Sequence, residues 1–387
     1  MERQERLIYL DNAATVFPKP EGVLHKMMDT YQALGVSPGR GGYDLAMTAS
    51  DLLMDIREHL CRFFGGDDPE RVIFASNASD ALNLIIQGMI EPGCHVVSSR
   101  LEHNSVLRPL HYFQTQGILT YDLVEFDGQG HIDPEDIARA IRPATKMVII
   151  NHASNVIGTI QDAEAIGRVC QNHDVPLILD VAQSAGLVPI RMQDWGVSAL
   201  AFTGHKSLLG PSGVGGVVLT SDLDIRTTRF GGTGVDSESL VHTQSYPHRL
   251  ETGTPNLLGI IGLGSGLEYV EQVGIDPTRR KEVALAQRLA KGLSEISSVR
   301  IHGPSGWDNR LAVLMTNVHN MVPEDVGAIL DGDYGIAVRT GLHCAPLVHR
   351  DLNTFPHGGV RFSIGPFNTR DDIDAAISAM TEICKNK

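Results

Sequence analysis

The chain has 387 residues, 42% apolar and 20% charged, and no run approaches the roughly 18 apolar residues that a membrane span needs. Its 46 acidic against 32 basic side chains leave a net charge of −14 without a basic cluster, which excludes the electrostatic footprint that nucleic-acid phosphates select. The length allows roughly one to three domains around a large core, and the cysteines at 61, 94, 170, 344 and 384, with no CxxC pair or zinc-ligand spacing, predict reduced thiols and no metal site.

The N-terminal Met1-Glu-Arg-Gln-Glu-Arg-Leu is charged and lacks the basic-then-apolar pattern of a secretory signal, so a cytoplasmic protein is expected. Strand-like runs then alternate with helical patterns: Val72-Ile-Phe-Ala, His95-Val-Val-Ser-Ser, Lys146-Met-Val-Ile-Ile, Pro176-Leu-Ile-Leu-Asp, Ala199-Leu-Ala-Phe and Val214-Gly-Gly-Val-Val-Leu. Continuous apolar strands joined by helix-length segments predict an α/β protein with a mainly parallel sheet covered on both faces. Ligands of such sheets sit beyond the carboxyl ends of the strands, where Ser76, Glu102, Asn151, Asp180 and Thr203 fall. From about residue 265 the pattern becomes a long helical segment over 266–297, a short strand Val299-Arg-Ile-His, and further alternation to a helix from Arg370. The expected organisation is a large domain over 15–264 and a smaller one built from 1–14 and 265–387.

Ser76-Asn-Ala-Ser79-Asp places capping residues before a helical run, so backbone N–H groups there are free to meet a phosphate; alone, the segment reads as an ordinary cap. Gly262-Leu-Gly264-Ser-Gly-Leu267 lacks the third glycine of a dinucleotide fingerprint and reads as a helix packed through small residues. Gly210-Pro-Ser-Gly-Val-Gly-Gly216 lacks the Lys-Ser/Thr ending of a P-loop and reads as a turn. Ala182-Gln-Ser184-Ala-Gly186 approximates a hydrolase nucleophile elbow, with Ala in place of its first glycine. The most informative pair is Lys206, in Gly-His-Lys206-Ser, and Asp180, which closes the run Val175-Pro-Leu-Ile-Leu-Asp180. An amine and a carboxylate so placed suit pyridoxal phosphate chemistry, the Lys forming a Schiff base and the Asp keeping a proton on the pyridine nitrogen.

With Tyr9-Leu-Asp-Asn-Ala-Ala14, Glu102-His103-Asn104-Ser105, Ser154-Asn155-Val-Ile-Gly158, Asp180-Val-Ala-Gln183, Gly204-His205-Lys206, Glu251-Thr-Gly-Thr254-Pro-Asn256 and Ala337-Val-Arg339-Thr-Gly-Leu-His-Cys344-Ala in order, the chain resembles the class V aminotransferases of pyridoxal-phosphate fold type I. Within them it is similar to the SufS-type (group II) cysteine desulfurases. The resemblance spans nearly the whole chain. It implies a large domain with a mainly parallel seven-stranded sheet and a smaller α/β C-terminal domain. It also implies conversion of L-cysteine to L-alanine, with sulfur left as a persulfide on Cys344 for an acceptor protein. A selenocysteine lyase, or a transaminase in which Cys344 is idle, shares the same fold.

The same resemblance implies the residue roles. Lys206 is the Schiff-base lysine and removes the α-proton; Asp180 faces the pyridine nitrogen, Gln183 the phenolic oxygen, and His103 stacks on the ring and relays protons. Ser79, Thr203 and His205, with the amides of Ala78 and Ser79, hold the phosphate, although Ala78 stands where many relatives have threonine. Asn155 and Arg361 grip the α-carboxylate, a task suited to an arginine fork, and Arg339 is a second substrate residue. Thr254 reaches the phosphate of a neighbouring subunit, which implies a homodimer with shared sites. Cys344 acts as a thiolate, promoted by His343 or by active-site cations. Its loop is short, as in the SufS type, but Tyr43 stands where those relatives carry His, and Phe230-Gly-Gly-Thr-Gly-Val-Asp is unlike theirs.

Overall fold

The computed structural model describes residues 7–39 and 41–385; Arg40 and the charged run 1–6 lie outside them. Strand β1 (Ile8–Tyr9) precedes helices α1 (Glu21–Leu34) and α2 (Asp44–Phe64), and Gly65, left-handed at φ 70°, stops α2 by donating its N–H to the Arg62 and Cys61 carbonyls. Strands and helices then alternate: β2 (Val72–Ala75), α3 (Ala78–Met89), β3 (Cys94–Ser99), α4 (Asn104–Thr115), β4 (Leu119–Val124), α5 (Pro134–Ala140), β5 (Thr145–Asn151), α6 (Ala163–Asn172), β6 (Leu177–Asp180), β7 (Val197–Thr203) and β8 (Gly215–Leu219).

These strands form one sheet in the order β2-β8-β7-β6-β5-β3-β4, with β8 alone running against the rest. The unbroken apolar runs are buried on both faces, and the period of two decides which side each residue takes. In β5, Val148 and Ile150 pack with Ile56 and Leu60 of α2 and Ile166 of α6, whereas Met147 and Ile149 pack with Leu82 and Ile85 of α3 and Leu110 of α4. β4 is the strand that those apolar runs do not reveal. It lies at the sheet edge, half exposed, so its Leu-Thr-Tyr-Asp-Leu-Val alternates instead of running continuously.

The helical segment expected over 266–297 is two helices, α7 (Leu257–Val273) and α8 (Ile275–Ser294). Between them Gly274 takes φ 90° and ψ 136°, a conformation that a Cβ makes costly. Position 264, where the change of domain is expected, lies inside α7, and Leu263 and Leu267 of this helix both join the core of the large sheet. Its small residues permit that approach: a Cβ on Gly266 would lie 2.3 Å from the Leu208 carbonyl oxygen.

The remainder contains β9 (Val299–His302), β10 (Val313–Val318), α9 (Pro323–Tyr334), β11 (Ile336–Ala337), β12 (Arg339–Gly341), α10 (Pro346–Asp351), β13 (Gly359–Ser363) and α11 (Arg370–Lys385). An antiparallel sheet, β12-β13-β10-β9, packs Leu314 and Phe362 against Leu289 of α8, Leu330 of α9 and Ile373 of α11. The N-terminal β1 pairs in parallel with β11, and Leu10 enters this same second core, so this segment joins the smaller part of the fold. Among the described residues no helix is long and apolar enough to cross a membrane.

Candidate active site

The carboxyl ends of β5, β6 and β7 and the N-termini of α3 and α4 open on one cavity of about 380 Å³, as expected for ligands of parallel sheets. Ala78, Ser79, His103, Asn155, Asp180, Gln183, Thr203, His205, Lys206, Arg339 and Arg361 all line it. Asp180 ends β6 and Thr203 ends the neighbouring β7, so adjacent strands bring Asp180 and Lys206 together across 26 positions of sequence.

Lys206 follows β7 in a tight turn, and its amine is pushed down to about 8 by burial, with Arg361 and Arg339 adding to the effect and Asp180 opposing it. The amine is therefore charged below pH 8 and mainly neutral above it. In cofactor-free protein, reductive methylation of Lys206 is expected to rise through a midpoint near pH 8. Exposed lysines, which follow the ordinary value of about 10.4, supply the internal standard in peptide mass spectrometry. A Lys206 midpoint matching theirs would contradict the burial argument.

Burial raises Asp180 in turn, although the Ala182 N–H, 2.9 Å from its Oδ1, and the Lys206 charge pull it back. Beneath it lies Glu102, fully buried and raised to about 8 by burial; its Oε1 accepts from Ser99 Oγ at 2.6 Å and Asn151 N at 2.9 Å, while Oε2 has no partner. Glu102 sits in a motif singled out in the sequence, but only the fold shows that its carboxyl joins the ends of β3 and β5.

His103 caps α4, its Nδ1 accepting from Ser105 N at 3.1 Å and lying 2.8 Å from Ser105 Oγ. A proton is thereby left to Nε2, and burial together with Lys206, Arg339, Arg108 and Arg361 pushes the ring down to about 4, so it is neutral at pH 7. Ser105 also meets Ser79 Oγ, which makes it a site residue that sequence reasoning assigned no role. At the head of α3, Asn77 Oδ1 takes the Asp80 N–H at 3.0 Å, while the Ala78 and Ser79 amides belong to the first turn, which has no intrahelical acceptors. Thr203 Oγ1 and His205 Nδ1 are buried there without partners. The arrangement is built for an anion.

At the opposite wall Arg361, in β13 and 1% exposed, ion-pairs with Asp11 and donates Nη1 to the Asn155 carbonyl at 3.0 Å, leaving Nε unpartnered. It is no surface arginine. Asp11, in the Tyr9-to-Ala14 motif, is a second residue whose role only the fold discloses. The Asn155 amide gives one Nδ2 N–H to the His343 carbonyl at 2.7 Å, which leaves its second N–H and Oδ1, the latter buried and unpartnered.

Cys344 and Thr254 stand apart from this wall. Cys344 lines an adjoining cleft that shares Ser79, His103 and Ser105 with the cavity, and its Sγ lies 3.3 Å from Arg339 Nη2. The expected help from His343 does not occur. Burial and the Arg361 charge hold that imidazole far below its ordinary range, and both its nitrogens are engaged, with His349 and the Arg339 carbonyl. Arg339 is the cation at the thiol. Thr254 is exposed and lines a separate cavity with Arg57 and Glu251, so one chain does not bring it to Lys206. The elbow serine, Ser184, is fully buried with its Oγ 2.8 Å from Nδ1 of the buried His152, a Ser–His pair sealed in the core with no room for a substrate.

Comparison with known proteins agrees with this geometry. Residues 8–376 match the family described as aminotransferase class-V. A probable cysteine desulfurase of Methanothermobacter thermautotrophicus is 32% identical over 97% of this chain and 94% of its own, and one of Halalkalibacterium halodurans 33% identical over 95% and 91%. The apo cysteine desulfurase of Thermococcus onnurineus superposes with a TM-score of 0.92 at 31% identity, covering 98% of this chain and 95% of that one. The fold is that of the type I pyridoxal-phosphate-dependent enzymes, and the chain belongs to the class V aminotransferase family.

Proposed function

We propose that the protein is a pyridoxal-phosphate-dependent cysteine desulfurase that converts L-cysteine to L-alanine and leaves the sulfur as a persulfide on Cys344. The observation that carries this reading is the Cys344 thiol beside Arg339, at the rim of a cavity that also holds Lys206 and Arg361. Relatives bearing the name cysteine desulfurase over nearly their whole length support it.

The residues present fit pyridoxal phosphate. Ala78 and Ser79 amides, Thr203 and His205 would hold its phosphate, Asp180 its ring nitrogen, Gln183 its phenolic oxygen, His103 its ring face and Lys206 its aldehyde carbon. The orphaned Thr203 Oγ1 and His205 Nδ1 are the kind of buried groups that such a ligand satisfies. When bound, the cofactor supplies an electron sink for charge developing at the substrate α-carbon. Arg361 holds the α-carboxylate, with Arg339 beside it. Lys206, neutral once its proton is lost, takes the α-proton. The Cys344 thiolate attacks the substrate sulfur, so a sulfur–sulfur bond forms as the carbon–sulfur bond breaks, and the electron pair left on carbon is protonated to give alanine. His103, which lines the cavity neutral with its proton on Nε2, relays that proton. The Cys344 persulfide then passes its outer sulfur to an acceptor thiol. Thr254, remote from Lys206 in its own chain, serves the phosphate of a second copy, which makes the working unit a cytoplasmic homodimer.

The test is incubation of the loaded protein with L-cysteine and dithiothreitol. Equal amounts of alanine and sulfide are expected, and amino transfer that depends on a keto acid and releases no sulfide would sink the reading. Arg361→Lys should lower kcat/KM for L-cysteine by roughly 30- to 150-fold, mostly through KM, because a point charge replaces a fork worth about 2–3 kcal/mol on a carboxylate. Unchanged steady-state kinetics in that variant would remove Arg361 from substrate binding.

A further inference from the structure

The loop that carries Cys344 is held in an uncommon conformation. His343 and Cys344 take φ 50° and 58°, two consecutive left-handed residues without a glycine, a conformation in which a Cβ crowds the following carbonyl. Surrounding contacts must hold them there. Their carbonyls accept from Asn155 Nδ2 and Asn104 N, both at 2.7 Å. A further hold is a chain of buried side chains beside Ala345 and Val348, which pack in the core of the large sheet. His343 Nε2 faces the Arg339 carbonyl at 3.2 Å, an acceptor only, so the proton lies on Nε2. His343 Nδ1 must then accept from His349 Nε2 at 3.1 Å, and His349 Nδ1 must accept from the Thr354 hydroxyl at 2.8 Å. His349 is fully buried, His343 is 2% exposed, and their rings stack with centroids 5.2 Å apart. The hydrogen bonds run in one direction, from Thr354 to the carbonyl of the residue whose guanidinium touches the thiol.

We propose that His349, with Thr354 behind it, is a positioning residue for Cys344: it pins the His343 ring to the Arg339 carbonyl and so holds the turn that sets Cys344 Sγ 3.3 Å from the Arg339 guanidinium. The inference rests on the reading of Cys344 as the nucleophile.

The experiment measures alkylation of Cys344 by iodoacetamide in the full-length loaded protein, followed by peptide mass spectrometry, which reports on the thiol whether or not L-cysteine is turned over. His349→Leu should slow alkylation at least roughly tenfold, the scale set by a misplaced reacting group, while His349→Gln, which keeps an N–H donor, should recover most of the rate. In an Arg339→Ala background His349→Leu should change the rate by less than about twofold, because the contact it acts through is already gone. A parental rate in His349→Leu, or an equal loss in both backgrounds, overturns the proposal. If His349→Leu does not fold, Thr354→Val removes only the first donor; a slowed rate supports the proposal and a parental one overturns it. Absence of alanine formation with these alkylation results intact would mean that the desulfurase reading had failed and the positioning role had not.

Discussion

Lys206→Ala is expected to abolish alanine formation from L-cysteine, by about 10⁴-fold or more, since one group serves both as the attachment point and as the base that takes the α-proton. Among the described residues no second lysine lines the cavity. Lys19 donates its Nζ to the His205 carbonyl and is not among the residues that line the cavity. Lys206→Arg should be as damaging, because arginine keeps the charge and cannot lose the proton. Alanine quantified by chromatography, with the visible absorbance of the loaded protein recorded beside it, decides the matter. More than about a tenth of parental turnover in Lys206→Ala would end the assignment of the base.

Cys344→Ala carries the second large effect. Alanine and sulfide formation should fall by about 10²- to 10³-fold, since the carbon–sulfur bond loses the soft nucleophile that receives its sulfur. The change in visible absorbance on adding L-cysteine should survive, because Lys206, Asp180 and Arg361 line the main cavity while Cys344 lines the adjoining cleft, and none of the three depends on the thiol for a hydrogen bond. In the parent, mass spectrometry of the Cys344 peptide should show one added sulfur after L-cysteine is supplied without reductant. Full alanine formation in Cys344→Ala would mean that sulfur leaves by another route and that the nucleophile has been misassigned. The buried Cys61, Cys94 and Cys170 offer no substitute, and burial pushes the Cys170 thiol up to about 12, away from its reactive form.

The parallel sheet was legible because its strands are buried on both faces, so Val148-Ile-Ile and Leu177-Ile-Leu appear as continuous apolar runs. β4 escaped because an edge strand need hide only one face. The division of 266–297 into two helices turns on the backbone of one glycine, Gly274, and Pro277, in the first turn of α8, marks the same break in the sequence.

What the sequence determined by itself is local: strand ends, helix starts and the residue types that stand at them. Asp180 and Lys206 could be paired from sequence because β6 and β7 are consecutive strands and neighbours in the sheet, so their chemistry survives as a spacing. Tertiary structure alone decided which polar atoms have partners. Arg361 meets Asp11 across 350 positions only because β1 crosses to pair with β11, and that crossing is what buries the guanidinium at the cavity wall. His343, next to Cys344 in the chain, faces away from the thiol, while Arg339, five positions earlier, faces it. Two left-handed residues turn the backbone there, and adjacency along a chain does not survive such a turn as adjacency in space. Periodicity and spacing record the direction of the backbone where it is regular; the partner of a buried charge is set by whichever segment the packing brings to it, and that is a property of the folded chain.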